Sequence, residues 1–209
     1  MLDPQTLNQY GVNLSAPIIH KANHTYHYAI IEPTRCESLD KWRYGLLAEP
    51  PRRESLFDST IYQAIPDGPV LLDLTAANEE FLACLYQQAE VVPLGCFFSS
   101  EANFDECLTL LRGRITAKTS QASALFRFFE PRGLLALISA LSEDEKRALF
   151  YKTVTLSWFH HEWLTAHIPQ QEDIHFQDLK TYQWVLTENK MNKMEETLLM
   201  QSHHGGSNK

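Results

Sequence analysis

The residues best suited to chemistry lie in the segment His160-His161-Glu162-Trp163-Leu164-Thr165-Ala166-His167. A zinc helix of the HExxH type needs its second His four residues after the first, so that both imidazoles share a helical face and the Glu between them acts as general base. That position holds Thr165. His160 and His167 are spaced to share a helical face, but two imidazoles do not complete a ligand set. His20, His24 and His27 have the i, i+4, i+7 spacing of a helix, yet the run from His24 to Ile31 reads as a strand, which separates them. Other chemistries leave less trace. The chain has eight glycines, with no GxxxxGK[ST] phosphate loop, no GxGxxG turn and no GxSxG elbow. Cys36, Cys84, Cys96 and Cys107 are widely spaced without a CxxC pair, so they are expected to behave as small core hydrophobes. No cofactor and no metal are expected, and the chain reads as a binding protein and not an enzyme. A metal-dependent hydrolase built on His160, His161, Glu162 and His167 is the weaker alternative.

Composition bounds the partners. Of 209 residues, 44% are hydrophobic and 21% charged, enough for a packed core. The net charge of −8 argues against a protein that coats nucleic acid, because phosphate binding needs an excess of Lys and Arg. No apolar run approaches the roughly 20 residues of a membrane span. The first residues, Met-Leu-Asp-Pro-Gln, lack the basic and apolar regions of a secretion signal, so the expected location is the cytoplasm.

The elements follow from periodicity. The spacing predicts strands at 24–32, 70–74, 91–98, 115–118 and 124–129. It predicts helices at 36–47, 78–89, 103–113 and 134–141, with a further helix opening at Ser142. Asn103 with Glu106, and Ser142 with Glu145, have the spacing of capping boxes. Pro50-Pro51 belongs to a loop. Strands alternating with helices imply an α/β fold, a mixed sheet of about five strands flanked by helices. The stretch 150–168 is rich in aromatics and fits neither period. Residues 169–173 read as a polar linker, and 176–201 as one or two amphipathic helices carrying Leu179, Tyr182, Leu186, Met191, Met194 and Leu198. The chain therefore divides into an α/β domain over 1–170 and a small helical C-terminal lobe over 171–209, with a disordered tail from Gln201.

Two features single out a surface. Between Arg53 and Arg112 there is no Lys or Arg, but there are ten acids: Glu54, Asp58, Asp67, Asp73, Glu79, Glu80, Glu90, Glu101, Asp105 and Glu106. They are either solvated helix faces and caps or an acidic face that steers a basic partner, with Glu79 and Glu80 as its candidate contacts. The second feature is Phe126-Arg-Phe-Phe-Glu-Pro-Arg132. Read as a strand, it would send Leu125, Arg127 and Phe129 to one side and Phe126 and Phe128 to the other. Arg127 then needs a carboxylate, for which Glu130 and Asp73 are candidates. The segment either ties strand to helix or presents Arg127, Phe128, Glu130 and Arg132 to a partner. Trp158, Phe159 and Trp163 join the candidate partner contacts, with core filling as their alternative.

Phe126-Arg-Phe-Phe-Glu-Pro-Arg132 followed by Leu134-Leu-Ala-Leu resembles the strand-to-helix signature of the effector chaperones, or adaptors, of bacterial type VI secretion. Tyr28-Ala-Ile-Ile-Glu-Pro33, Gly68-Pro-Val-Leu-Leu-Asp73, and Gly95-Cys-Phe-Phe-Ser-Ser100 through Arg112 fit the same family in the same order, and the resemblance covers about residues 24–165. Glu130 stands where the family usually has Asp. The resemblance implies a cytoplasmic, non-enzymatic chaperone that binds a cognate effector, usually at an N-terminal segment, and helps load it onto the VgrG-type spike protein. No nucleic acid or membrane partner is implied. Another regulatory or immunity-type binding module is the alternative.

Overall fold

The computed structural model describes residues 3–17, 25–120, 122–169 and 184–205. His20, His24, the expected boundary at 170, the region of Leu179 and Tyr182, and the last four residues lie outside the described residues.

The chain opens with α1 (Pro4–Gln9), β1 (Val12–Leu14) and β2 (Tyr26–Ile31). After a 3-10 turn at Pro33–Arg35 come α2 (Leu39–Gly45), β3 (Arg53–Ser55), β4 (Val70–Asp73), α3 (Glu79–Val91), β5 (Gly95–Ser100) and α4 (Phe104–Arg114). Then follow β6 (Thr116–Lys118), β7 (Ser123–Leu125), α5 (Pro131–Ala140), α6 (Glu143–Leu149), β8 (Thr153–His160) and β9 (Glu162–His167). The last elements are β10 (Trp184–Val185) and α7 (Glu188–Gly205). The α/β class holds, but the main sheet has seven strands in the order β1-β9-β8-β5-β2-β4-β3.

Every neighbouring pair in that sheet is antiparallel, so it is not the mixed sheet expected from the sequence. The reason lies in β2. β4 and β5 run in the same direction and α3 carries the chain between them, as in a parallel unit. β2 is inserted between the two and pairs antiparallel with both. A parallel pair occurs instead in the small second sheet, β10-β6-β7, between β10 and β6.

Both faces of the main sheet are covered. On one face Ala29, Ile31, Leu72 and Phe97 pack with Leu39 of α2 and Phe81, Leu85 and Ala89 of α3. On the other, Tyr28, Ile30, Leu71, Cys96, Phe98, Leu156 and Trp158 pack with Phe104, Leu108 and Leu111 of α4, Leu134, Leu137 and Ile138 of α5, and Leu149 of α6. Burial on both faces makes the central strands near-continuous apolar runs, which is why they were legible by composition and not by alternation. The two capping boxes form as the spacing predicts: Asn103 accepts from the Glu106 backbone N–H at 3.0 Å, and Ser142 from that of Glu145 at 3.3 Å. Cys36, Cys96 and Cys107 are buried free thiols.

The unassigned stretch 150–168 is the β8–β9 hairpin, with His161 in the left-handed region at φ 65 to turn the chain. Its aromatics fill both cores, so no clean alternation marks it. The C-terminal segment is joined to the rest through described residues. Trp184 of β10 is fully buried in the larger core, Ser139 of α5 and Thr197 of α7 share a hydroxyl hydrogen bond of 2.8 Å, and Lys190 pairs with Glu145. Helix α7 continues past Gln201 to Gly205, where a disordered tail was expected.

Gly95 begins β5 at φ 150, and a Cβ there would stand 1.9 Å from the Ile30 carbonyl oxygen of β2. The clash is with backbone in the centre of the sheet, so no side chain can yield. Gly95→Ala should lower unfolding free energy by about 3 kcal/mol or more in chemical denaturation, the range of strained overpacking. A loss below about 1 kcal/mol would show that the strand pair is looser than described.

Candidate functional site

The site begins with a chain reversal. β7 ends at Leu125, and Phe126 already turns inward, its N–H donating to the Ile115 carbonyl at 2.8 Å. Residues 126–130 are therefore not the strand predicted over 124–129. Phe126, Phe128 and Phe129 are all buried, where alternation would have put Phe129 opposite the other two. Their rings meet in sequence, Phe126 to Phe128 at 5.9 Å and Phe128 to Phe129 at 5.5 Å, edge to face. With the three rings turned inward, Arg127 is left on the outside. Glu130 sits at the N-cap of α5, and Pro131 takes the first helical position, which has no need of an N–H donor.

Glu130 does not cap its helix with its side chain. Its carboxylate is instead held between two guanidinium groups: Oε2 accepts from Arg127 Nη2 at 2.8 Å and Oε1 from Arg132 Nε at 2.9 Å. Arg127 Nη2 also stands 3.0 Å from Oε1 of Glu32, at the end of β2, as an ion pair without hydrogen-bond alignment. The result is an alternating chain, Glu32–Arg127–Glu130–Arg132, that runs from a nearly buried end to an open one. Side-chain exposure rises from 10% at Glu32 and 14% at Glu130 to 39% at Arg127 and 59% at Arg132. The Arg127 guanidinium also lies 5.6 Å from the Phe129 ring centre. Asp73, the other partner considered for Arg127, instead accepts from the Thr75 backbone N–H at 2.9 Å.

The two carboxylates of this chain respond oppositely to their setting. Burial pushes the Glu32 carboxyl above the ordinary glutamate value, against the pull of Arg127 and Arg35. Burial also acts to raise Glu130, but the paired Arg132 and Arg127 hold it below that value. Next to this chain, His160 is pushed down to about 4 by burial and by the nearby His161 and Arg132, so its imidazole is neutral at physiological pH.

The other candidates distribute differently. Phe128 and Trp158 are core residues, and Trp158 is 0% exposed, so neither offers a partner a free surface. Phe159 and Trp163 are half-buried and face each other across the hairpin at 5.6 Å. Trp163 also meets Tyr86 and Phe97 and donates Nε1–H to Glu90 at 2.8 Å, which latches the hairpin to α3. Glu79 and Glu80 are exposed in the first turn of α3. The acidic block is partly neutralised from its flanks: Arg52 pairs with Glu54 and Asp105, and Arg112 approaches Asp58 at 3.7 Å. His160, His161 and Glu162 meet at the hairpin turn, with His167 at the far end of β9. Among the described residues, no group of three or more His, Cys, Asp or Glu side chains is placed to hold a metal ion.

Sequence reasoning identified Arg127, Glu130 and Arg132 as one unit but missed Glu32. Its only local mark is a carboxylate closing an apolar strand before Pro33, and nothing in local spacing links it to a residue so far along the chain.

A family model described as "Domain of unknown function (DUF4123)" matches residues 27–148. That span runs from β2 almost to the end of α6 and contains the whole ion chain. The β8–β9 hairpin, β10 and α7 lie beyond it. No curated protein and no solved structure matches the chain.

The ion chain sets a pH signature. A raised carboxyl contributes stability that is full below the ordinary glutamate value and is lost as pH rises through its folded value. A lowered one contributes stability above the ordinary value that is lost as pH falls through its folded value. Glu32 is of the first kind and Glu130 of the second. Carboxyl-resolved NMR titration should give Glu32 a midpoint above that of Glu130, and Arg127→Ala should raise both. The same variant should lose about 1–2 kcal/mol, a half-exposed pair discounted for solvent but leaving Glu32 stranded. Equal midpoints in the parent protein would show that the chain of charges does not form in solution.

Proposed function

The chain belongs to the DUF4123 family, and on that premise we propose that it is a cytoplasmic chaperone, without enzymatic activity, that binds a type VI secretion effector and helps load it onto the VgrG-type spike protein. The observation that carries this reading is the Phe126–Arg132 junction. The motif on which the resemblance rests lies inside the family match, and its residues form one physical unit. Phe126, Phe128 and Phe129 anchor the segment, while Arg127 and Arg132 keep charged surface at the start of α5. Such a rigid base with an open, charged end suits recognition of another polypeptide.

Co-purification from the native host, with identification of what is captured, tests the proposal. A secreted toxin together with a spike protein supports it. A toxin held at its catalytic domain, with no spike protein, would favour an immunity-type module instead. Among the described residues no helix is long and apolar enough to cross a membrane.

Electrostatics adds a kinetic test. Glu79 and Glu80 are exposed in the first turn of α3, where they can steer a basic partner segment. Complex formation should slow as ionic strength rises through 0.1 M, where the screening length is about 10 Å, while dissociation changes little. Replacing both by Lys should slow association by about threefold or more. The same acids favour the α3 dipole by about 0.3–1 kcal/mol each, so the melting transition must be followed in parallel. An association rate indifferent to salt and to the reversal would leave these acids as solubilising surface.

A further inference from the structure

The guanidinium groups of Arg127 and Arg132 are satisfied on one side only. Arg127 donates through Nη2 and Arg132 through Nε, both inward to Glu130, and among the described residues their remaining N–H groups have no acceptor. The carboxylates they hold are largely withdrawn from water, at 10% for Glu32 and 14% for Glu130, so the unit turns its positive heads to solvent. A second arginine cluster has the opposite arrangement. Arg52 is 45% exposed and bridges Glu54 and Asp105, but those carboxylates are 37% and 75% exposed, so they meet solvent alongside it. Beside the first cluster, Gly133 follows Arg132 in the first turn of α5. Its φ lies outside the left-handed region and a Cβ there would meet nothing within 4 Å, so the fold itself has no need of glycine. Glycine weakens a helix relative to alanine, and what it provides here is an open approach to the helix next to the two arginines.

We infer that the outward edges of Arg127 and Arg132 take an Asp or Glu side chain of the partner polypeptide, whose backbone passes close over Gly133. The planar fork of a guanidinium matches a carboxylate, and Arg132 keeps both Nη groups for it. A polypeptide is the source, and not a free small anion, because an ion pair this open to water is worth little alone and counts only when a larger surface delivers it. Nucleic acid is disfavoured by the net charge of −8. The stretch between Arg53 and Arg112 holds ten acids and no Lys or Arg, so an acid of the partner is repelled there and accepted at the junction. The contact thus fixes the register in which the partner docks. The inference rests on the chaperone reading for its partner, but its chemistry can be tested without one.

The test uses the full-length protein, with the arginine Nε–H groups followed by NMR at low ionic strength. The probe is an acetylated, amidated pentapeptide with Glu at the centre of four alanines, and the same peptide with Gln or Lys at its centre is the control. At millimolar concentration the Glu peptide should shift the Nε–H signals of Arg127 and Arg132 and leave that of Arg52 in place, and neither control should move them. Arg132→Gln should weaken the binding about fivefold and Gly133→Gln about threefold, with melting temperatures confirming that both variants fold. No shift, an equal response to the Gln peptide, equal shifts at Arg52, or binding unchanged in either variant would overturn the inference. So would a stronger response to inorganic phosphate than to the Glu peptide, which would make this a phosphate site. Self-association that is lost in Arg132→Gln would give the site to a second copy of this chain and overturn it too. Failure to capture any secretion partner from the native host bears on the chaperone reading alone, and the peptide result still decides the chemistry of the two arginines.

Discussion

The double burial of β2 and β5 governs this architecture. From His27 to Ile31 and from Gly95 to Ser100 every residue is buried, so each face of the sheet must be roofed. Helices α2 and α3 roof one face, and α4, α5 and α6 the other. The strands are so close at Gly95 that a single methyl group has no room. Once these strands are fixed, the ends of β2 and β8 and the start of β9 fall at one end of the sheet, and chemistry can gather there.

The ion chain occupies that end. It connects a sheet strand, through Glu32, to a covering helix, through Glu130, and it does so with both carboxylates largely withdrawn from water. A related solution appears within the helical layer. Arg114, 1% exposed, donates to the carbonyl of Ala148 at 2.9 Å in the last turn of α6, satisfying an acceptor that the end of a helix leaves open. In both places a guanidinium joins elements far apart in the chain, a use for which its several fixed donors suit it better than a lysine.

Local signals proved readable where one element decides its own structure. The capping boxes at Asn103 and Ser142 and the apolar stripes of α3 and α4 depend on neighbours a turn away, and they form where spacing placed them. The misreadings all involve distant partners. Phe126–Phe129 looked like a strand because three aromatics with a polar residue among them mimic alternation, and only the core they enter shows that all three rings share it. Trp158 is more deeply buried than an aromatic binding surface would require, because β8 lies inside the sheet between β5 and β9. The antiparallel order depends on where β2 inserts, which strand and helix alternation does not encode. Of the site itself, three members of the ion chain were legible as a motif and the fourth was not.

The two margins of the large sheet carry a consequence for how this molecule meets others. Its interior strands reach eight residues in β8, but β1 at one margin and β3 at the other have three each. β3 includes a charged pair of neighbours, Arg53 and Glu54, and Arg53 donates to Asp40 at 2.8 Å. Short, charged borders of this kind are how sheets avoid being lengthened by a stray strand from another chain. An incoming strand would find three residues to zip against on either border, too few to hold it by backbone pairing. Along these two borders backbone pairing with another chain is thus disfavoured, and discrimination between visitors there falls to side chains.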